Sequence, residues 1–521
     1  MGVPDEFKRQ QEKTLDVLRK LLIFLQEGER YGVEIDPGFK LKLETGIKAT
    51  VDEKLKVALI GGFSEGKTSI VAAWMEKLDM DMKIDEGESS DEVIVYSMED
   101  FKLIDTPGLF GFKENINKEK YKDITRKHVS EAHLVLYVMD PTNPIKGSHE
   151  EELIWLFKDL NLLPRTVFVL SRFDEEANIT VEDDYKERLE TKRQNIIGRL
   201  KEFGIISNDD IAIVAVSPNP FKKGVEYWLS HLDEFRRLSH IESLQTATTE
   251  KIKAAGDKTA LIEESKKSIA IDILKRELPV AKERDEKTRI ESERLQQECD
   301  EKEEELKKVK SDLIRTRIAL REFITQLFTD LILQVNGLSF ETISAFFQRE
   351  IGNKGIVLST KIKNEFERQL HSTYLGIKDM QLRLDAGIEH YNDVIGKIFG
   401  DNKKIIFDIA EDIGDLFDVE LPIDIPVDII IDLVDKYSKA IKEEEFKNDI
   451  VPKLEKQREK YLEFIDDENK FICGYFPNYI NLQKRMEELH TILQDIQLQH
   501  ENFIKWREMG EAIEAEFTII S

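Results

Sequence analysis

The sequence predicts a mostly parallel α/β head, with helices on both faces of its sheet, followed by an elongated all-α neck and trunk. Three observations predict it. Short β-branched runs separated by helix-length polar segments occupy only about residues 54–217 of the 521, the alternation of a parallel sheet covered on both faces. After about residue 225 the strand pattern stops and helical periodicity runs almost unbroken to the C-terminus. The length suggests about three domains at roughly 150 residues each, which this texture reduces to one head and one long helical remainder. The expected boundaries are 1–50 for an N-terminal neck helix and linker, 51–238 for the head and 239–521 for the neck and trunk.

In chain order, residues 5–28 carry Phe7, Leu15, Leu18, Leu21, Leu22 and Leu25 at helical spacing, with Gly28 and Gly32 expected to stop the helix. The strand runs are Val57 to Ile60, Val93 to Tyr96, Phe101 to Ile104, Leu134 to Val138, Val167 to Leu170 and Ile211 to Val216. Between 281 and 312, 21 of 32 residues are charged. Ile290, Leu295, Leu306 and Val309 are nearly the only large apolar residues there, so the run reads as a solvated helix face. It continues into the apolar-periodic stretch from Leu313 to Leu331; one helix over 281–334 would be about 80 Å long, hence the elongated stalk. The last helical block, about 480–517, is expected to pack beside the N-terminal helix.

Composition narrows the partners. There are 104 acidic against 77 basic residues, a net charge of −27 and a pI near 5.0. That argues against a general nucleic-acid binder, which needs a basic face, and against a whole-surface attraction to anionic lipid. Two cysteines, Cys299 and Cys473, build neither a disulfide framework nor a cysteine zinc site. No apolar run reaches the roughly 18–20 residues that span a bilayer. Met1 to Arg9 lacks a signal-peptide core, and Glu6 stands where a myristoylation motif has Ser or Thr. A cytoplasmic location is expected, with peripheral membrane association open.

The strongest motif is Gly61-Gly62-Phe63-Ser64-Glu65-Gly66-Lys67-Thr68, a phosphate loop Gly-x-x-x-x-Gly-Lys-Ser/Thr between a strand and a helix-forming run. Glycine lets backbone N–H groups converge on phosphate oxygens, and the helix N-terminus adds partial positive charge. Lys67 would reach the β- and γ-phosphates and the Thr68 hydroxyl would bind Mg²⁺. Asp105-Thr106-Pro107-Gly108 follows a strand; in this order Asp105 would hold Mg²⁺ through water and the Gly108 N–H would sense the γ-phosphate, although the four residues could also be a simple turn. Ser171-Arg172-Phe173-Asp174 lies where GTPases have Asn/Thr-Lys-x-Asp. The Asp174 carboxylate would accept two guanine N–H donors that adenine does not offer, and Arg172 could lie flat over the base; an ordinary strand-to-loop acid is the alternative. Ser217 occupies the fifth-motif position, followed by Pro218. No Thr lies between Ser69 and Asp105, so Ser90 is the best first-switch hydroxyl for Mg²⁺, unless 87–91 is only an acidic loop. Leu109 stands where a water-positioning Gln would be, and Ser64 could help neutralise charge near the β–γ bridge.

Together these residues resemble the dynamin superfamily of large GTPases. The run Gly61 to Ser69, with Ser64 in its characteristic place, and Asp105-Thr106-Pro107-Gly108-Leu109 are similar to that family's motifs. The flanking helices are similar to its neck and trunk. The resemblance implies a phosphate-loop GTPase head that binds GTP and Mg²⁺, a catalytic site of Ser64, Lys67 and Ser90 completed by head dimerisation, and a trunk tip that meets membrane. It also implies self-assembly or pairing with another dynamin-like protein. Ser90, Ser171 and Arg172 depart from the family pattern, so slow or assembly-dependent hydrolysis is expected. Two other readings stay open: a nucleotide-gated scaffold acting through protein partners, and an ATP-driven coiled-coil enzyme of the DNA-maintenance type, which lacks a signature motif and which Asp174 opposes.

The tip would be a hairpin within 394–436. Residues 405–435 hold 18 apolar and ten acidic side chains and no Lys or Arg. Ile405, Ile406, Ile409, Ile413, Leu416 and Phe417 share one helical face opposite Asp408, Glu411, Asp412 and Asp415; Pro422 and Pro426 break the chain before a second amphipathic run. Membrane-surface helices usually carry Lys and Arg on the polar face, so packing of this hairpin on itself or the trunk is the favoured expectation.

Overall fold

The computed structural model describes residues 3–49, 54–62, 64–76, 93–97, 101–107, 109, 128–339, 341–352, 355–399 and 443–520. They form two compact units, one of residues up to 283 together with 504 onward, the other of residues 284–503.

Among the described residues of the first unit, six strands build one sheet: β1 (Leu55–Gly61), β2 (Ile94–Ser97), β3 (Phe101–Asp105), β4 (Leu134–Met139), β5 (Thr166–Leu170) and β6 (Ala212–Ala215). Their order is β2-β3-β1-β4-β5-β6. All neighbours run parallel except β2, which closes one edge antiparallel to β3. Every residue of β4 and β5 is buried, as expected where helices cover both faces and the strand sequence is an uninterrupted apolar run. The helix Lys67–Met75 is itself core, burying Ile70, Val71, Ala72, Ala73 and Trp74, with Trp74 edge-on to Phe101 at 5.7 Å. Each strand predicted from the sequence is present within a residue or two.

Helices from both chain ends complete this unit. The N-terminal helix spans Val3–Arg30 and buries Val17, Leu18, Leu21, Phe24 and Leu25. It runs through Gly28, contrary to expectation, and ends before Gly32, whose φ of +86° suits glycine. Gly28 serves close packing instead: a Cβ there would stand 2.8 Å from Trp506 Cε2. The final helix, Pro477–Ile520, does pack beside the N-terminal one, as predicted. Buried polar contacts join further helices to the head. Lys42, on the helix Pro37–Lys48, reaches Ser130 Oγ at 3.0 Å and Asp272 at 3.1 Å, and Ser130 bonds Asp272 in turn. Burial lowers the Lys42 ammonium against the opposing Asp272 charge. Arg165, fully enclosed, donates to the Ala132 carbonyl and to Ser268 Oγ, both at 2.5 Å.

Among its described residues the second unit is built of helices joined by short turns. It takes in part of the 80-residue helix Asp257–Asn336, the helices Ile356–Phe399 and Glu443–Asp466, and part of the final helix. Its core includes Ile324, Phe328, Phe366, Leu384, Tyr391, Phe446 and Leu454, and the Thr316 and Thr373 hydroxyls bond across it at 2.9 Å. The charged run is solvated on one face only. Thr288, Ser292, Leu295, Cys299 and Lys302 are all buried, and their 4-3-4-3 spacing is a single helical stripe. The rim is charged: Arg383 meets Glu305 at 3.0 Å and His490 meets Glu303 at 2.9 Å. No helix among the described residues is long and apolar enough to cross a membrane.

Candidate functional site

The parallel register brings the motif residues to one edge of the sheet. Gly61 pairs with Val138 and Leu59 with Asp105, so the ends of β1 and β3 and the loops after β4, β5 and β6 open on the same side. In doubly wound sheets this carboxyl edge, where strand order reverses about β1, is where ligands bind.

The loop after β1 turns tightly into the helix Lys67–Met75. Ser64 and Gly66 both take left-handed backbone, at φ 57° and 86°. Glycine is needed at 66 twice over, because a Cβ would also stand 2.7 Å from Ser171 Oγ. A Cβ on Gly61 would collide with the Val138 carbonyl oxygen. Ser64 is exposed and Ser69 half-buried. Lys67 is 7% exposed and donates to the Gly62 carbonyl at 2.7 Å. Burial pushes its ammonium below the ordinary range, with the Asp105 and Glu65 charges opposing that shift. Glu65 is likewise buried and accepts the Gly62 N–H; burial pushes its carboxyl up to about 7, with Lys67 the main opposing charge.

Thr68 Oγ1 donates to Asp105 Oδ2 at 2.6 Å, so the two described residues predicted to serve a metal are in contact. Asp105 is fully buried and its neighbour Thr106 bonds the Leu59 carbonyl at 2.7 Å, which fixes the end of β3. Leu109 is also fully buried, its N–H on the Gly61 carbonyl at 2.9 Å.

At the other end of the edge, Ser171 is buried against Gly66. Arg172 has a left-handed backbone, φ 54°, and its guanidinium reaches Asp140 Oδ2 at 2.9 Å. The Asp174 N–H donates to Ser217 Oγ at 3.0 Å, and Asp174 Oδ2 accepts the Phe221 N–H at 2.8 Å. The fourth- and fifth-motif positions are thus bonded to each other. Of the predicted site residues, Gly61, Gly62, Ser64, Glu65, Gly66, Lys67, Thr68, Ser69, Asp105, Arg172, Asp174 and Ser217 line this one edge. Phe63, Ser90, Gly108 and the hairpin 405–435 lie outside the described residues.

Sequence reasoning missed Asp140 and Phe221. Asp140 follows the apolar run of β4, and an acid at the end of such a strand was the available signal. Phe221 acts through its backbone N–H, which no residue type reveals.

A family model described as the dynamin-like helical domain matches residues 205–414 and 418–502, more than half of the chain. Another, described as a 50S ribosome-binding GTPase, matches residues 56–171. GTPase Der of Thermotoga sp. (strain RQ2) is 27% identical over 166 residues, covering 29% of this chain and 38% of that protein, so the chain spans well under half the length of this curated relative. Among solved structures, the LeoA bacterial dynamin GTPase from ETEC is similar at 21% identity and TM-score 0.40, over 99% of this chain and 100% of that one. An oligomerised bacterial dynamin pair, described as providing a mechanism for the long-range sensing and tethering of membranes, is similar at 13% identity and TM-score 0.45, over 94% and 95%. With a GTPase match over the segment that carries β1 to β5 and a dynamin-like helical match over more than half of the chain, the chain belongs to the dynamin-like GTPase family.

Proposed function

We propose that the chain binds GTP with Mg²⁺ and hydrolyses it slowly, through a head of residues 51–238 that dimerises across the nucleotide, while the helical neck and trunk of 239–521 serve assembly and peripheral membrane association. The observation that carries the nucleotide reading is the single edge that holds a strand–loop–helix phosphate cradle, the Thr68–Asp105 pair and the Arg172, Asp174 and Ser217 cluster. The backbone from Gly61 to Ser69 would wrap the phosphates and Lys67 would meet their negative charge. Arg172 would cover the base, and Asp174, set by Ser217 and Phe221, would read its guanine edge. Ser64, Lys67 and Ser90 are the proposed catalytic groups.

The donor set fits magnesium. One hydroxyl and one carboxylate, with Ser90 as a third oxygen, suit a hard cation that takes its other ligands from phosphate and water. Among the described residues no cluster of three His, Cys, Asp or Glu could hold a metal by itself. When bound, the ion would neutralise charge developing on the transferred phosphoryl group. Thr68→Ala is expected to weaken nucleotide binding about tenfold, or ~1.4 kcal/mol, with Mg²⁺ present and to change it little in EDTA; paired calorimetric titrations check this.

Base selectivity gives a second test. Asp174→Asn turns one acceptor into a donor, and a hydrogen bond to a charged partner contributes about 2 kcal/mol. The variant should bind GTP roughly 30-fold more weakly and gain affinity for xanthosine triphosphate, whose 2-oxo group accepts. Stronger binding of ATP than of GTP by the unaltered protein would overturn the guanine reading.

A nucleotide-gated scaffold with little turnover is the second reading. What favours it is Leu109, buried and apolar at the place where a polar side chain would orient water. Hydrolysis assayed with and without liposomes or a dynamin-like partner separates the two: stimulated turnover supports the mechanochemical reading, and none under any condition supports the scaffold.

A further inference from the structure

Glu65 is a carboxyl in an unusual place. It sits inside the phosphate loop, three residues before Thr68, and is 9% exposed. Its Oε2 accepts the Gly62 N–H. Its two oxygens lie where Cβ atoms on Gly62 and Gly61 would be only 2.6 and 2.7 Å away, so the carboxyl rests directly on the backbone that cradles phosphate. Among the described residues, three charged groups act on it. Lys67 is the main opposing charge, Lys146 opposes more weakly, and Asp140 repels. The buried Tyr137 hydroxyl, on β4, feels the Glu65 charge and holds its own proton well above the usual range, mainly because of burial. The Lys67 ammonium therefore stands against Glu65 and Asp105 together before any phosphate arrives.

A polyphosphate placed on this loop would make a third claim on the buried Lys67. Like charges sharing one site push one another toward the neutral form. The phosphates of a magnesium-bound nucleotide stay ionised near neutral pH, so Glu65 is the group that yields. We propose that Glu65 makes phosphate binding proton-linked: nucleotide enters at full affinity when this carboxyl takes up one proton from solvent, and the ionised carboxylate is a built-in brake on the site. This rests on the nucleotide reading above and adds a regulator to it. The protonated carboxyl keeps a carbonyl oxygen for the Gly62 N–H, so the loop holds its shape in both states.

The sign follows from linkage. Free Glu65 titrates at about 7, and bound phosphate raises that further. Affinity is then level below pH 7 and falls as pH rises above it, by up to tenfold per unit, until the bound-state value is passed.

The test measures Mg²⁺–GDP affinity from pH 6 to 8.5 by calorimetry in buffers of different ionisation heat. The unaltered protein should bind about tenfold more weakly at pH 8.5 than at 6.5 and take up close to one proton on binding near pH 8. Glu65→Gln, which keeps the acceptor and drops the charge, should bind tightly with a level profile and no proton uptake. Lys146→Gln removes a charge that favours the carboxylate, so its profile should bend at higher pH. Superimposable profiles for the unaltered protein and Glu65→Gln, or equal proton uptake, would overturn the inference while leaving the nucleotide site standing. No binding by either protein at any pH would overturn the nucleotide reading and this inference with it.

Discussion

Lys67→Ala is expected to weaken GTP and GDP binding about 1000-fold, or ~4 kcal/mol, and to leave the fold intact. The size of the effect comes from burial. A charged contact to phosphate in a site this enclosed is screened little by water, and Lys67 is the main positive charge set against Glu65, Asp105 and any phosphate together. The small effect on folding has the same origin. Burial already disfavours the ammonium, which donates to the Gly62 carbonyl, so truncation relieves a desolvation cost as it removes a contact. Glu65, titrating near 7, can take a proton when the lysine charge is gone. A thermal-shift series shows both halves: the melting point without nucleotide should stay within a few degrees of the unaltered protein, and the rise on adding GDP, which follows RT ln(1 + [L]/Kd), should vanish. Binding within tenfold of the unaltered protein would remove Lys67 from the site.

The head was legible because its signals are local. Parallel strands buried on both faces, such as β4 and β5, are written as apolar β-branched runs, and the less buried strands, the antiparallel β2 among them, carry the same residue types. The phosphate loop was legible because glycine and lysine at fixed spacing have few other uses. What escaped depends on backbone atoms or on burial. Phe221 orients Asp174 through an N–H, a group every residue but proline carries. Glu65 was legible as a phosphate-loop residue, but its buried carboxyl was not. Gly28 looked like a helix stop, whereas its lack of a Cβ admits the Trp506 ring, a contact with a residue far away in the chain. The charged run 281–312 hid its buried stripe because Thr288, Ser292, Cys299 and Lys302 do not score as apolar, although small side chains and a lysine stem can line a close helix contact.

Trp506→Ala is expected to destabilise the first unit by ~4 kcal/mol, within the range for deleting a fully enclosed tryptophan. Trp506 has no exposed surface. Its ring stacks on Phe24 with centroids 5.0 Å apart at 19°, and its Nε1–H donates to the Phe24 carbonyl at 2.8 Å across 482 residues of sequence. Gly28 and Gly510 admit this packing: a Cβ on Gly510 would stand 2.8 Å from Leu278 and 3.0 Å from Phe24. Because Gly28 has no side chain to move into the space, collapse around the deletion is limited and the cavity term stays large. The Phe24 carbonyl remains inside a helix and keeps its backbone partner, so the loss is packing and transfer rather than an orphaned acceptor. Trp506→Phe should therefore recover about half of the loss while restoring no hydrogen bond. Urea unfolding gives the total, and amide exchange over Val3–Arg30 locates it: protection there should fall in the alanine variant even though every substituted atom lies at the other end of the chain. A loss under ~1 kcal/mol, or unchanged protection over that helix, would mean that the N-terminal helix is held to the head by Lys42, Ser130 and Asp272 through its neighbour and not by the C-terminal helix.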